Sequence, residues 1–356
     1  MIQRRDTRPV QVGPVTIGGG APVSVQSMTK THTEDVDATV EQIEELAALG
    51  CEIIRCAVPT RGAVEALGRV CERSPIPVIA DIHFDPGLAL GAIDVGADGV
   101  RINPPTMSDR DRVREVYRRA GEAGIKIRIG INSGSVRPRE GLDVAEEGRE
   151  TDVAELMVEE ALRCCEEAEA AGCPHVVISL KASEVTETIR AYRAASLRCD
   201  YPFHVGVTAA GPPESSLVKS AVGIGTLLAE GIGDTVRVSM TGPPHREVEA
   251  ALRILEALEL REPAGPEIVS CPTCGRCNID MEPLVEEVSR RLQGCGRHLR
   301  VAVMGCVVNG PGEAAEADVG IAGGRDFGYL FRNGRKIKKL PASELADALV
   351  DLVNEQ

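Results

Sequence analysis

Gly99-Val100-Arg101-Ile102-Asn103, then a charged stretch over 112–123 with apolar residues at three and four spacing, then Lys126-Ile127-Arg128-Ile129-Gly130-Ile131-Asn132 form one repeat of a pattern that runs through most of this chain. Short β-branched runs alternate with longer helix-patterned segments, the signature of βα units and a parallel sheet. Eight strands are predicted, at 23–26, 52–57, 77–81, 99–102, 126–131, 175–180, 202–207 and 235–239, with helical segments such as 38–49, 112–123, 154–171 and 247–258 between them. Eight such units in about 240 residues have the size of a (β/α)8 TIM barrel. A doubly wound sheet would use the same elements, so the strand ends decide. Gln26, Ser27, Arg55, Asp81, His83, Arg101, Asn103, Arg128, Asn132, Lys181, Thr208 and Ser239 lie at or just past the carboxyl ends of the predicted strands. Only a closed barrel brings residues from all eight strands to one face, where barrel enzymes carry their active sites.

The whole chain has 356 residues, enough for two or three domains and a large core. Its formal charge of -14 is a poor footprint for binding nucleic acid or an anionic membrane, so an anionic ligand must be met by a local cluster of cations. Trp is absent and only four Tyr and four Phe occur, which leaves the core to Val, Ile, Leu and Ala. No apolar run approaches a membrane span, and Met1-Ile2-Gln3-Arg4-Arg5-Asp6 has no apolar stretch behind its charges; a cytoplasmic protein is expected. Cys51, Cys56, Cys71, the adjacent Cys164 and Cys165, Cys173 and Cys199 sit mostly singly inside apolar segments, as reduced thiols packed like small hydrophobes.

Composition changes at Arg261-Glu262-Pro263-Ala264-Gly265-Pro266-Glu267, a linker-like segment that sets the domains at 1–262 and 263–356. The second unit reads as α+β: a cysteine loop, a helix at 282–292, a strand at 299–303, another loop, a strand at 319–322, a hairpin turned at Asn333-Gly334, and a closing helix at 342–354. The Lys and Arg between Gly323 and Leu340 read as a solvated face. Cys271-Pro272-Thr273-Cys274-Gly275-Arg276-Cys277 offers three thiols at C-x2-C-x2-C spacing to one metal centre. Zinc would ordinarily ask for a second close pair, whereas the later cysteines, Cys295 and Cys306, are isolated. Cys306 opens Gly305-Cys306-Val307-Val308-Asn309-Gly310-Pro311-Gly312-Glu313, where small residues let the backbone lie close to something bulky and a thiol and an acid frame the glycines.

These two loops and their separation resemble the 4-hydroxy-3-methylbut-2-enyl-diphosphate synthase family of the non-mevalonate isoprenoid pathway. So do Val25-Gln26-Ser27-Met28, Ala80-Asp81-Ile82-His83-Phe84-Asp85, Arg101-Ile102-Asn103-Pro104 and Arg128-Ile129-Gly130. The resemblance implies a 4Fe-4S cluster held by Cys271, Cys274, Cys306 and Glu313, with Glu313 as a catalytic, exchangeable ligand that a substrate oxygen displaces. A carboxylate is a harder donor than a thiolate, which suits that exchange. Cys277 is expected to pack beside the cluster, and Cys295 to be structural. The resemblance further implies a two-electron reductive ring opening of 2-C-methyl-D-erythritol 2,4-cyclodiphosphate to 4-hydroxy-3-methylbut-2-enyl diphosphate, with electrons from a flavodoxin or ferredoxin. A homodimer would then bring one subunit's barrel to its partner's small domain.

Arg55, Arg101, Arg128 and Lys181 end predicted strands two, four, five and six, and guanidinium forks suit a diphosphate. Asp81, His83, Asn103 and Asn132 add polar contacts at the same mouth; Lys219, inside a predicted helix, is a weaker candidate. The family commonly carries Thr-Glu-Ala-Gly after strand seven, but this chain has Thr208-Ala209-Ala210-Gly211, which leaves the proton donor to Glu214, a water or a cluster-bound hydroxyl. A non-catalytic relative would fit that departure. The rival from another class is a zinc-stabilised barrel that binds a pterin or another small anion, with a non-redox C-terminal module.

Overall fold

The computed structural model describes residues 2–136, 152–208, 211–306 and 310–355, without the side chains of Pro311 and Glu313. The chain divides into two compact units, Met1–Arg261 and Glu262–Gln356.

The first unit opens with a hairpin, β1 (Val10–Val12) and β2 (Val15–Ile17). Sequence reading missed it, although Val10-Gln11-Val12 and Val15-Thr16-Ile17 flank a Gly13-Pro14 turn. There follow β3 (Ser24–Met28), α1 (Val36–Ala48), β4 (Ile53–Ala57), α2 (Arg61–Arg73), β5 (Val78–Asp81), α3 (Pro86–Asp94) and β6 (Gly99–Ile102). After a 3-10 turn at Pro104–Thr106 come α4 (Arg110–Ala123), β7 (Lys126–Asn132), α5 (Ser133–Val136), α6 (Val153–Ala170) and β8 (Val176–Lys181). The unit ends with α7 (Val185–Ser196), β9 (His204–Val205), α8 (Pro213–Ala229), β10 (Thr235–Val236) and α9 (His245–Ala257). Loop side chains start the helices: Asp35, Thr60, Asp109 and Asp152 each accept a first-turn backbone N–H.

Strands β3 to β10 form one parallel sheet in the order β8-β7-β6-β5-β4-β3-β10-β9. The bridge Ile178–Phe203 and the bond from Ile178 N–H to Pro202 O, 3.0 Å, join its two edges. The sheet is therefore a closed eight-stranded barrel. Inside, the layers are not alike. At the amino end Val10, Val12 and Ile17 of the hairpin pack on Ile53, Ile79 and Val177 as an apolar plug. Above the plug the interior turns polar: Ser24, Gln26, Lys126, Arg128, His204 and Thr235 are all buried. Lys126 Nζ, Arg128 Nε, Ser24 Oγ and both His204 ring nitrogens are buried with no hydrogen-bond partner among the described residues.

The second unit is a five-stranded sheet, β11 (Glu267–Ser270), β12 (Arg300–Met304), β13 (Val319–Gly323), β14 (Phe327–Arg332) and β15 (Arg335–Pro341), in that order across the sheet. The first three are parallel, and β14 and β15 run as an antiparallel hairpin turned at Asn333 and Gly334, both with positive φ. Helices α10 (Met281–Leu292) and α12 (Leu345–Asn354) bury Val288, Leu292, Leu345 and Leu349 against Val301, Val303, Val319 and Ile321. The short α11 (Gly310–Ala315) lies over the other face, where a Cβ on Gly320 would fall 2.9 Å from Ala302 Cβ and 3.4 Å from Ala314 Cβ. β11 is not expected from the sequence, because its four residues between a Pro/Gly segment and the first cysteine leave almost no periodicity to detect.

The fully buried Lys126 has its proton affinity pushed well down, by burial first and then by Arg128 and Arg55. Below the ordinary lysine pKa the unfolded chain then binds more protons, so this group's destabilising effect fades as pH rises toward that value. Lys126→Met is expected to stabilise the ligand-free protein by about 1–3 kcal/mol near neutrality. In urea unfolding compared at about pH 7 and about pH 9.5 the variant should gain less with pH than the wild type; equal gains would show that Lys126 is not the group responsible.

Candidate active site

The carboxyl ends of the barrel strands hold a ring of cations around two buried carboxylates. Asp81, at the end of β5, lies 3.6 Å from Arg55 Nε, 3.3 Å from Arg101 Nη1 and 3.4 Å from His83 Nε2. Burial opposes its charge, but Arg55, His83, Arg101 and Arg128 outweigh that and hold the carboxyl well below the ordinary range. The second carboxylate, Glu247 in the first turn of α9, is 1% exposed. It takes Arg237 Nη2 at 3.0 Å, Lys30 Nζ at 3.0 Å and the Met240 backbone N–H at 3.1 Å.

Five cations, Arg55, Arg101, Arg128, Lys181 and Arg237, thus face Asp81 and Glu247. Burial pushes Arg55 down to about 10, with Asp81 acting against the shift. Arg128, 1% exposed, is pushed well down by burial and then by Arg55 and Arg101, and its Nη1 makes a 3.5 Å contact to Gln26 Oε1. A guanidinium keeps its proton at neutral pH, so this penalty persists as unspent positive potential. Lys181 is half-buried and also lowered, by loss of water first and then by Arg55, Arg237, Arg128 and Arg101. Burial and the same cations keep His204 beneath them neutral. The arrangement suits one anionic ligand carrying more than one negative charge.

Two glycines make room for it. A Cβ on Gly130 would stand 2.7 Å from Arg101 Nε, and one on Gly206 would stand 3.2 Å from Lys181 Nζ and 2.6 Å from Arg237 O. Of the residues predicted from sequence, Arg55, Asp81, His83, Arg101, Arg128 and Lys181 converge here. Asn103 is buried with an Oδ1 that has no hydrogen-bond partner among the described residues, and Asn132 pairs in register with Lys181. Lys219 lies exposed in α8, as does Glu214 in its first turn; Ala209 and Ala210 lie outside the described residues. Sequence reading missed Arg237, Glu247, Lys126 and His204. Arg237 was within reach, because the two-residue period of its strand puts it on the same side as Ser239.

In the second unit, parallel pairing of β11 and β12 sets Ser270 opposite Val303. Cys271 and Cys306 therefore follow neighbouring strands at the same end of the sheet. The Cys271 N–H donates to Val303 O and the Asn278 N–H to Gly305 O, both at 3.0 Å, which ties the two loops together. Cys271 is half-buried, Cys274 exposed and Cys306 buried. The Arg276 guanidinium interacts electrostatically with all three thiols, and its hydrogen bonding holds the Cys274 thiol below its ordinary pKa, the backbone N–H of Arg276 contributing most. Thr273 between them has φ 62°, a costly conformation for a β-branched residue. Cys277 packs on the second loop: its Sγ donates to Ile279 O at 3.2 Å and sits where a Cβ on Gly305 would fall. The backbone of Glu313 lies in α11; its side chain is outside the description. Among the described residues no three His, Cys, Asp or Glu side chains are grouped as a single metal ion would need. Soft thiolates on loops that follow two adjacent strands are the donor type an iron-sulfur cluster takes.

Comparison with known proteins accounts for both units. The model of the GcpE TIM-barrel domain matches residues 7–252, and that of the GcpE protein C-terminal domain matches residues 267–355. The chain belongs to the GcpE family. It is 55% identical over 344 residues to the 4-hydroxy-3-methylbut-2-en-1-yl diphosphate synthase (flavodoxin) of Geobacter sulfurreducens, covering 97% of this chain and 96% of that one. It is 49% identical to the synthases of the same name from Aquifex aeolicus, over 98% of this chain and 96% of that one, and Thermodesulfovibrio yellowstonii, over the whole of both. Among solved structures the barrel resembles dihydropteroate synthases. That of Yersinia pestis aligns with TM-score 0.51 at 11% identity over 70% of this chain and 97% of its own, and that of Xanthomonas albilineans with TM-score 0.51 at 13% identity over 71% and 98%. Identity that low carries the barrel fold and not the pterin chemistry, and the GcpE match through both units disfavours the zinc-and-pterin alternative.

Gly130→Ala is expected to push the Arg101 guanidinium off Asp81. Calorimetric titration with inorganic pyrophosphate should then show affinity lower by about tenfold, the worth of one charge-assisted contact, with the thermal midpoint nearly unchanged. Undiminished affinity would place Arg101 outside the anion site.

Proposed function

We propose that this GcpE-family chain is a cytoplasmic 4-hydroxy-3-methylbut-2-enyl diphosphate synthase that opens 2-C-methyl-D-erythritol 2,4-cyclodiphosphate reductively. Two electrons and the accompanying protons enter, a carbon–oxygen bond breaks and water leaves. The observation that carries the reading is the excess of buried positive charge at the barrel mouth, where among the described residues Arg55, Arg101, Arg128, Lys181 and Arg237 outnumber Asp81 and Glu247, which suits a multiply charged anion.

In this reading residues 1–262 bind substrate and residues 263–356 hold a 4Fe-4S cluster. Arg55, Arg101, Arg128 and Lys181 grip the diphosphate, with Arg237 as a fifth cation. Asp81 keeps Arg55 and Arg101 apart and aimed. His83, Asn103 and Asn132 orient the remaining polar groups of the ligand. Withdrawal of these side chains from water strengthens each contact. Cys271, Cys274 and Cys306 would hold the cluster, with Glu313 as the fourth and exchangeable ligand. When bound, the cluster supplies single electrons, which side chains do not. A flavodoxin or ferredoxin would deliver them, and a homodimer would pair each barrel with a small domain.

Iron, acid-labile sulfide and zinc in anaerobically purified protein test the cofactor directly. About four irons and four sulfides per chain are expected; about one zinc, with no iron taken up on reconstitution, would make the cysteine loop structural instead. Glu313→Ala should keep the fold and lose most of the turnover of the cyclic diphosphate, and full activity would remove the exchangeable-ligand role.

A further inference from the structure

The β14–β15 hairpin concentrates positive charge in an acidic protein. Between Gly324 and Leu340 stand Arg325, Arg332, Arg335, Lys336, Lys338 and Lys339 against a single acid, Asp326. Ion pairing separates this patch from the other cations. On the barrel helices surface arginines such as Arg114, Arg118, Arg119, Arg163 and Arg193 are paired with carboxylates. Among the described residues none of the six hairpin cations has a carboxylate within ion-pair distance. Arg325, Arg335, Lys336, Lys338 and Lys339 are exposed. Lys336 Nζ stands 3.4 Å over the Tyr329 ring and Lys339 Nζ 3.7 Å over that of Phe327, so two of the ammoniums are held in place. Ile337, 49% exposed, lies between them.

We infer that this hairpin is the docking surface for the electron donor, a small soluble carrier protein that presents carboxylates around its redox group. The inference rests on the donor reading given above. The patch combines unpaired cations, aromatic rings and one exposed aliphatic side chain, the composition of a transient charge-steered interface. It also lies within reach of the thiol loops. β15 is three strands from β12, about 14 Å at ordinary strand spacing. Lys339 and Phe327 lie at the sheet end where β12 runs out toward Cys306. Edge protection alone would explain a lysine or two on an outer strand, but not six cations left without counter-charges. Nucleic acid would fit the patch too, yet a net charge of -14 opposes that partner.

The test uses the cluster-loaded full chain, purified flavodoxin, and three triple variants. Lys336→Glu/Lys338→Glu/Lys339→Glu keeps the outer strand charged but reverses the sign, and the corresponding Gln triple guards against a folding defect. Arg114→Gln/Arg118→Gln/Arg119→Gln makes the same change in formal charge as the Lys→Gln triple, on a barrel helix. Flavodoxin affinity is read by calorimetry at two salt concentrations, beside turnover with reduced flavodoxin and with reduced methyl viologen. Both hairpin variants are expected to weaken flavodoxin binding by about tenfold or more and to flatten its salt dependence. KM for flavodoxin should rise in step, while viologen-driven turnover stays at the wild-type rate. The helix variant should bind within about twofold of wild type. Unchanged affinity in the hairpin variants, or equal weakening in the helix variant, would each overturn the assignment. A wild-type chain that turns over with viologen but binds neither flavodoxin nor, in the same titration, ferredoxin would overturn it together with the donor reading. Absence of turnover with either reductant would instead remove the activity, with flavodoxin affinity still judging the surface.

Discussion

Confined positive charge governs the barrel. A parallel barrel of this size ordinarily fills its interior with branched aliphatic side chains. Here that packing is restricted to the amino end, where the β1–β2 hairpin seals the bottom with Val10, Val12 and Ile17. Above the plug, Lys126, Arg128, Arg55 and Arg101 crowd into a space that Asp81 and Glu247 only partly neutralise. Such an interior is self-repulsive without ligand, and the apolar plug and the outer helices must hold it shut. Binding a multiply charged anion relieves the repulsion, so stability and recognition share one set of side chains.

The small unit solves a different problem with simpler means. Its thiols are far apart in sequence, Cys271 and Cys306 being separated by a helix and a strand. Parallel pairing of β11 with β12 brings their following loops to one end of the sheet, and two backbone hydrogen bonds tie the loops together. Gly305 lets Cys277 and Met281 pack against the second loop without a side chain in the way. The strain at Thr273 is held by the loop around it.

Much of this was legible before any coordinates. Seven of the eight predicted barrel strands match the observed ones within two residues at each end, including 202–207, which contracts to His204–Val205 with Phe203 contributing only a bridge; the exception is 235–239. The predicted strand at 235–239 starts correctly at Thr235 but stops pairing after Val236; the Arg237 N–H still donates to Val205 O, and its side chain reaches Glu247. β1 and β2 escaped as three-residue strands outside the βα repeat, and β11 because it is squeezed between the Pro/Gly segment and the first cysteine. The paired basic helices and the unpaired basic hairpin look alike as strings of Lys and Arg. Their difference lies in which carboxylates the fold brings near.

The sequence by itself determined the barrel, the second unit with its two loops, and six of the side chains that converge at the mouth, because residue type and period carry that information locally. Tertiary structure alone decided that Lys126 and His204 sit uncompensated beneath them, that Arg237 is clamped by Glu247, and that Gly130 and Gly206 make the space Arg101 and Lys181 occupy. Those are relations between strands far apart in the chain. Charge and packing act through space, and a linear pattern does not record which strand becomes whose neighbour until the barrel closes.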